Sequence, residues 1–218
     1  MFTSSPRSLY TTPKLDPPRT GTDRTHDAVY PRYKARPEIP IPIIATMSSS
    51  FIAEIANYRV HHLNSVNVAL HRVCIPAVYF TMMVPMTLLS LPHNAYVNLA
   101  TVVASLYSAY YLSLDVPYGL IGSGLMAALA YGGTKFQLTY GPRLALLASL
   151  AIWILSGVGQ AYGHKYHEGG APAAGENPKQ AFLMPPLFVV VELGTSLGYR
   201  RSLMQTIDRH IQESRNKD

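Results

Sequence analysis

Histidines are the residues whose positions in this sequence point most directly to chemistry. His61, His62 and His71 come just before the first long apolar segment, and His164 and His167 come just after a later one. Neutral imidazole is the commonest metal ligand among protein side chains. The two groups therefore predict metal-binding side chains at the borders of apolar segments.

Four apolar segments separate the two histidine groups, namely residues 73–91, 95–114, 116–131 and 144–163. Each has about the 16–20 residues that a helix needs to cross the hydrocarbon layer of a membrane. An even number of crossings returns both groups to one side of the bilayer, where they could bind one ion. The sequence predicts an all-α integral membrane bundle with four to five membrane-embedded helices.

The uncertain fifth helix lies at residues 181–199. Pro185 and Pro186 stand near its start and Glu192 lies inside it. Proline interrupts a helix, and a carboxylate is costly in the membrane. The segment is predicted to be a broken, re-entrant or interfacial helix, and its topology is left open.

Composition divides the chain into a polar start and an apolar body. Residues 1–46 are rich in proline and arginine, with seven Lys/Arg and four Asp/Glu, and are predicted to be a disordered tail. Residues 47–218 are predicted to form the membrane-embedded domain. The net charge of +6 includes no clustered basic stripe, which argues against nucleic-acid binding and leaves the lipid bilayer as the expected partner.

The spacing of the first histidine group predicts a bend. His62 and His71 are nine residues apart, so a continuous helix would place them on opposite sides. Residues 64–65 supply turn chemistry. A second helix starting near Asn67 would place Asn67 and His71 on one face, with Tyr58 and His62 four residues apart on the preceding helix.

The second group has helical spacing. Trp153, Gln160, His164 and Glu168 fall on one face of a continuous helix, which Gly169 would end. An aromatic and histidine belt at the membrane interface is the alternative interpretation.

Two arginines flank the first group. Arg59 and Arg72 could receive the carboxylate of a bound molecule, or they could extend along the membrane interface as arginines often do.

Three blocks of sequence together resemble the 2-hydroxy fatty acid dioxygenase family over about residues 51–210. The blocks are Tyr58 with His62-x4-Asn67-x3-His71 and Pro76, then Gln160-x2-Gly163-His164-x3-Glu168-x3-Pro172-Ala173, then Pro186-x5-Glu192-x5-Gly198. Residues 161–162 depart from the family's usual pattern of an aromatic followed by an aliphatic residue.

The resemblance implies an enzyme of the endoplasmic reticulum membrane that uses Fe(II) and O2 to shorten a 2-hydroxy fatty acid by one carbon, during phytosphingosine degradation. The charge of the tail favours a cytosol-facing site. The implied catalytic and metal-binding residues are His62, His71, His164 and Glu168. For an acid substrate of this kind, the predicted substrate-binding residues are Arg59, Arg72, Tyr58, Asn67, Gln160 and Lys165. His61 and His167 are expected to be auxiliary or merely interfacial.

Three other classes of protein would use these histidines differently. A zinc protease would need a second histidine three residues after the pair at 167–168, and the sequence has none there. A di-iron lipid desaturase or hydroxylase needs more clustered histidines than this chain offers. A non-enzymatic membrane structural protein, with histidines that are merely interfacial, stays open. Chain-length preference, the number of metal ions and oligomeric state do not follow from the sequence.

Overall fold

The fold is described from a computed structural model. It describes residues 49–169 and 178–215, so the predicted tail at 1–46 and the motif residues 172–173 lie outside it. The prediction of a helical protein is confirmed. The elements are α1 Ser49–Arg59, α2 Ser65–Met86, β1 Ser90–Leu91, β2 Asn94–Asn98, α3 Leu99–Leu114, α4 Val116–Gly163, α5 Pro178–Leu183, α6 Pro185–Ser196 and α7 Arg201–Arg215.

The long helix α4 is two helices joined at a sharp kink. Gly141 has φ 77° and ψ 160°, a conformation that favours glycine, and Pro142 follows it. The halves, residues 116–140 and 142–163, contain the third and fourth predicted apolar segments. The first half runs past residue 131. Gly133 in this extension faces α2 and lets it approach closely, since a methyl group there would lie 3.4 Å from Met83 Cβ.

Successive long helices run in opposite directions. Asn98 caps the start of α3 and donates to Thr134 Oγ1 (2.9 Å), near the kink that ends the first half of α4. Asp115 then caps α4 directly after α3 ends. At the far end of α4, Gly163 packs against Asn67 at the start of α2. This alternation brings the two histidine groups to the same end of the bundle.

Two predicted segment boundaries are wrong. The helix predicted to start near Asn67 begins at Ser65, because the Asn64 side chain accepts from the Val66 N–H and caps it there, but it ends at Met86 and not at residue 91. The segment predicted at 95–114 becomes helical only at Leu99. Its first residues pair with β1 in an antiparallel hairpin instead.

Within residues 49–169 and 178–215, two segments are long and apolar enough to cross a membrane, Ser65–Met86 and Val116–Glu168. Only 17% of the most apolar window in the second is buried, so that segment does not have the burial of a soluble protein's core helix. The apolar helices α3 and α6 are shorter. Association with a membrane is plausible on this basis, and the count of four to five membrane helices stays a prediction.

The break predicted in the last apolar segment lies at Met184, between α5 and α6. The prolines at 185–186 have no N–H to offer the carbonyls one turn earlier. The Phe182 carbonyl instead accepts hydrogen bonds from the hydroxyls of Tyr79 on α2 and Tyr107 on α3. These bonds anchor the turn before α6 to α2 and α3, and most residues in the first two turns of α6 are buried.

Candidate metal centre

His62 lies in the turn after α1, rather than on the helix as predicted, and is 2% exposed. Its Nδ1 is 2.8 Å from the Tyr58 carbonyl oxygen, and its ring stacks on the Tyr58 ring with centroids 4.2 Å apart. Because a carbonyl only accepts, the hydrogen belongs on Nδ1. The Nε2 lone pair is buried without a hydrogen-bond partner among the described residues.

His71 is held in the same way on α2. Its Nδ1 is 2.9 Å from the Asn67 carbonyl oxygen, one turn earlier, and its ring is 2% exposed. Metal-binding histidines usually donate their second ring N–H to such an acceptor, which fixes the tautomer and the ring direction. The predicted bend between the two histidines is present, with Asn64 capping the second helix.

His164 enters from the other end of the chain. It begins a single π-helical turn, His164–Glu168, that directly follows α4, and it is 4% exposed. Gly169, with φ 69°, ends this turn as predicted. π-helical turns inside helices are frequent at functional sites, because they redirect side chains that a regular α-helix would place elsewhere.

The three imidazoles meet in one buried cluster. Ring centroids are 4.6 Å apart for His62 and His71, 4.8 Å for His71 and His164, and 4.9 Å for His62 and His164. One ligand nitrogen from each lies within 4.8 Å of the others. Nitrogens on one first-row ion lie roughly 3–4 Å apart, so the cluster closes on an ion with small side-chain shifts.

The electrostatics of the cluster favour neutral, metal-binding imidazole. Burial first, and then the neighbouring His71, lower the pKa of His62 to about 3. A protonated ring cannot bind a cation, so the low pKa keeps His62 available as a ligand at neutral pH. The residues present fit a metal ion. Imidazole suits several metals, so the site itself does not select iron.

Glu168 connects the two halves of the site. Its Oε1 accepts hydrogen bonds from the Asn64 backbone N–H (2.8 Å) and from Asn67 Nδ2 (3.2 Å). It is absent from the described group of side chains whose ligand atoms lie within 4.8 Å of one another. The predicted role of Glu168 as a ligand stays a prediction, and its contacts are those of a residue that joins the π-turn to α2.

The two arginines contact a carboxylate of the protein itself. Arg59 Nη1 is 2.7 Å from Glu192 Oε1, and Arg59 Nε is 2.8 Å from Asp208 Oδ1. Arg72 Nη2 is 3.3 Å from Glu192 Oε2. Glu192 on α6 therefore joins the helices that precede His62 and carry His71.

The other predicted substrate-binding residues divide into two pairs. Tyr58 and Asn67 are buried beside the histidines. Gln160 donates to the Ser156 carbonyl on its own helix at 3.4 Å, and Lys165 lies over the exposed ring of Tyr166. The described contacts thus bring the first pair into the site but not the second.

Sequence reasoning missed Phe188 on α6. Its ring packs 4.4 Å from that of Tyr58 and 5.6 Å from that of His62, which closes this side of the cluster against water. Glu192 follows it by one helical turn, and its pairing with both arginines was also missed. The available signal was the carboxylate itself, because an acid in an apolar segment needs a cationic partner.

Comparison with known proteins gives a family for this arrangement. Residues 48–197 match the family described as 2-hydroxy-palmitic acid dioxygenase Mpo1-like. The chain is 25% identical over 162 residues to the protein named 2-hydroxy-palmitic acid dioxygenase MPO1 of Saccharomyces cerevisiae, covering 73% of this chain and 88% of that protein. No solved structure matches. The match covers all three clustered histidines and more than half of the chain, which therefore belongs to the 2-hydroxy-palmitic acid dioxygenase Mpo1-like family.

Proposed function

We propose that this protein is an Fe(II)-dependent dioxygenase that shortens 2-hydroxy fatty acids by one carbon. The observation that carries the proposal is the buried cluster of His62, His71 and His164, in a chain of this family. A metal ion held by only a few protein ligands keeps coordination positions open for other molecules, as in non-haem iron oxygenases. We further propose the endoplasmic reticulum membrane as its location, a cytosol-facing site, and phytosphingosine-derived acids as its substrates.

The proposed reaction balances without a second organic substrate. A 2-hydroxy acid and O2 give the acid one carbon shorter, CO2 and water. The bond between C1 and C2 breaks, and the acid supplies the four electrons that reduce O2. Bound Fe(II) would supply the redox chemistry that O2 requires. A redox-inert ion such as Zn(II) could not supply it.

The residues of the chain prepare the site for this chemistry. The carbonyls of Tyr58 and Asn67 hold the Nδ1 hydrogens of two ligands, so that their Nε2 atoms face the cluster. The rings of Tyr58 and Phe188 exclude water beside His62. The hydroxyl and carboxylate of the substrate are suited to bind the ion together, while its acyl chain stays in the lipid layer.

Two alternative functions make different demands on the histidine cluster. A di-iron lipid hydroxylase would need more histidines than the three that the described residues bring together. A non-enzymatic membrane protein would have no reason to bury His62 Nε2 without a hydrogen-bond partner, since such burial costs about 1–3 kcal/mol.

Iron dependence tests the proposal. Purified protein should convert 2-hydroxypalmitate and O2 to pentadecanoate and CO2. A chelator of Fe(II) should abolish conversion, and Fe(II) but not Zn(II) should restore it, because only the former is redox-active. Product analysis alongside metal content provides the measurement. Full activity in metal-free protein would disprove iron dependence, and a loaded protein that leaves 2-hydroxypalmitate unchanged would disprove the proposed function.

Membrane topology is a separate prediction. Tags inserted after residue 60 and near residue 175 should be accessible from the same side of the membrane, because the residues beside them converge in one cluster. If each long segment crosses, tags at residues 93 and 141 should report the opposite side. Protease protection in sealed microsomes measures this. Tags at 60 and 175 on opposite sides would contradict the shared site.

A further inference from the structure

Arg59 and Arg72 both contact Glu192, but Arg59 is held by shorter contacts than Arg72. Arg59 makes two short contacts, 2.7 Å to Glu192 and 2.8 Å to Asp208, from different atoms of its guanidinium. Its side chain is 20% exposed. Arg59 is thus held by two carboxylates on α6 and α7, as expected for a residue that fastens α1 to these helices.

Arg72 is held loosely by comparison. Its only described contacts run from one atom, Nη2, to Glu192 Oε2 at 3.3 Å and to the Glu192 carbonyl at 3.5 Å. Its Nε is buried and has no hydrogen-bond partner among the described residues. A buried N–H donor without an acceptor is costly, so this one is expected to gain a partner in the working enzyme.

Arg72 is linked to the metal centre through its neighbour in the chain and through its partner on α6. Arg72 directly follows His71 on α2. Its partner Glu192 stands one turn, about 6 Å, along α6 from Phe188, which packs on His62. The Arg72 side chain is also one third exposed, so a molecule outside the bundle can contact its guanidinium, and a shift of this loosely held group would bring the buried Nε to that molecule.

We propose that Arg72 is the residue that binds the substrate carboxylate, and that Arg59 is not. The inference rests on the proposed function, because it takes a 2-hydroxy acid as the ligand. A guanidinium binds a carboxylate through two parallel N–H donors, and the donors of Arg72 are only weakly engaged by Glu192, at 3.3 and 3.5 Å. The carboxylate would be fixed beside the histidines while the acyl chain extends into lipid.

A phospholipid phosphate offers the same anionic chemistry, and the bilayer surrounds the same helix. The substrate carboxylate and the phospholipid phosphate can be distinguished by which ligand loses affinity when Arg72 is replaced. If Arg72 serves the substrate, its removal changes the affinity for a free 2-hydroxy acid in a membrane without anionic lipid. If it serves lipid, its removal changes affinity for anionic vesicles alone.

Anaerobic binding to the iron-loaded protein in phosphatidylcholine nanodiscs separates these cases, since no turnover occurs without O2. The probes are 2-hydroxypalmitate, 2-hydroxypalmitamide, which lacks the charge, and separate vesicles containing phosphatidylserine, which test the lipid alternative. The variants are Arg72→Gln and Arg72→Lys. Arg209→Gln on α7 is the control, because it removes an exposed arginine away from the cluster.

Arg72→Gln should weaken binding of the acid at least about tenfold and leave the amide unchanged, so the preference for the acid falls by the same factor. Arg72→Lys should retain part of the preference for the acid, because lysine keeps the positive charge. The iron content of both Arg72 variants should equal that of the unsubstituted protein. Arg209→Gln should bind the acid and the amide as the unsubstituted protein does. An unchanged preference in Arg72→Gln would overturn the inference, as would an equal loss for both probes or a loss confined to anionic vesicles.

Because this experiment reads binding, its failure is distinct from failure of the proposed function. Unsubstituted protein that converts 2-hydroxypalmitate, together with Arg72→Gln that binds it normally, would reject only the role of Arg72.

Discussion

Replacing His62, His71 or His164 by alanine is expected to remove bound iron and abolish turnover in each case. With only three histidines in the cluster, each replacement leaves two and opens a cavity in a buried site. Even losing a residue that merely orients a ligand costs roughly 10–100-fold in metal affinity or activity, so losing a ligand should cost more. Iron content and product formation are measured on the same preparations.

His61→Ala and His167→Ala provide matched controls beside the cluster. Each removes an imidazole next to the site without taking a ligand from the group of three, so both should keep iron and most turnover. A variant at position 62, 71 or 164 with normal iron and normal turnover would show that the ligand assignment is wrong.

Glu168→Gln extends this series to the residue whose role is undecided. Glutamine keeps an oxygen able to accept from Asn64 and Asn67. Iron should therefore stay bound while turnover falls, because the tie between the π-turn and α2 is weakened but not lost. Loss of iron equal to that in the histidine variants would identify Glu168 as a ligand instead.

The histidine cluster could be anticipated because its parts are local. The nine-residue interval from His62 to His71 requires a bend, and the turn at residues 64–65 provides one. The link to His164 needed only an even number of antiparallel segments. That inference held although two segment boundaries were wrong, since shifting a helix start does not change the direction of the chain.

Contacts between distant segments could not be anticipated. Glu192 is separated from Arg59 by 133 residues and from Arg72 by 120, and no local pattern encodes such a pairing. The π-helical turn was missed for a different reason. Helical spacing assumes a constant rotation per residue, whereas one π-turn changes the direction of every side chain that follows His164.

Gly163→Ala is the substitution outside the ligands with the largest expected effect. A methyl group on Gly163 would overlap Asn67 Oδ1 and lie 3.2 Å from Leu70 Cδ1. Asn67 cannot easily move away, because it is fully buried, donates to Glu168 and accepts from His71 through its carbonyl. The added methyl therefore separates α2, which carries His71, from the end of α4, where His164 begins.

We expect Gly163→Ala to lower the free energy of unfolding by about 1–3 kcal/mol, the usual cost of overpacking, and to lower iron affinity at least about tenfold. Gly157→Ala on the same helix is the control, since a methyl there meets nothing within 4 Å. It should be neutral or slightly stabilising, because alanine favours helix by up to about 1 kcal/mol over glycine. Denaturation and iron titration measure both variants. Equal iron affinity in the two would mean that the close approach of Gly163 and Asn67 does not set the distance between His71 and His164.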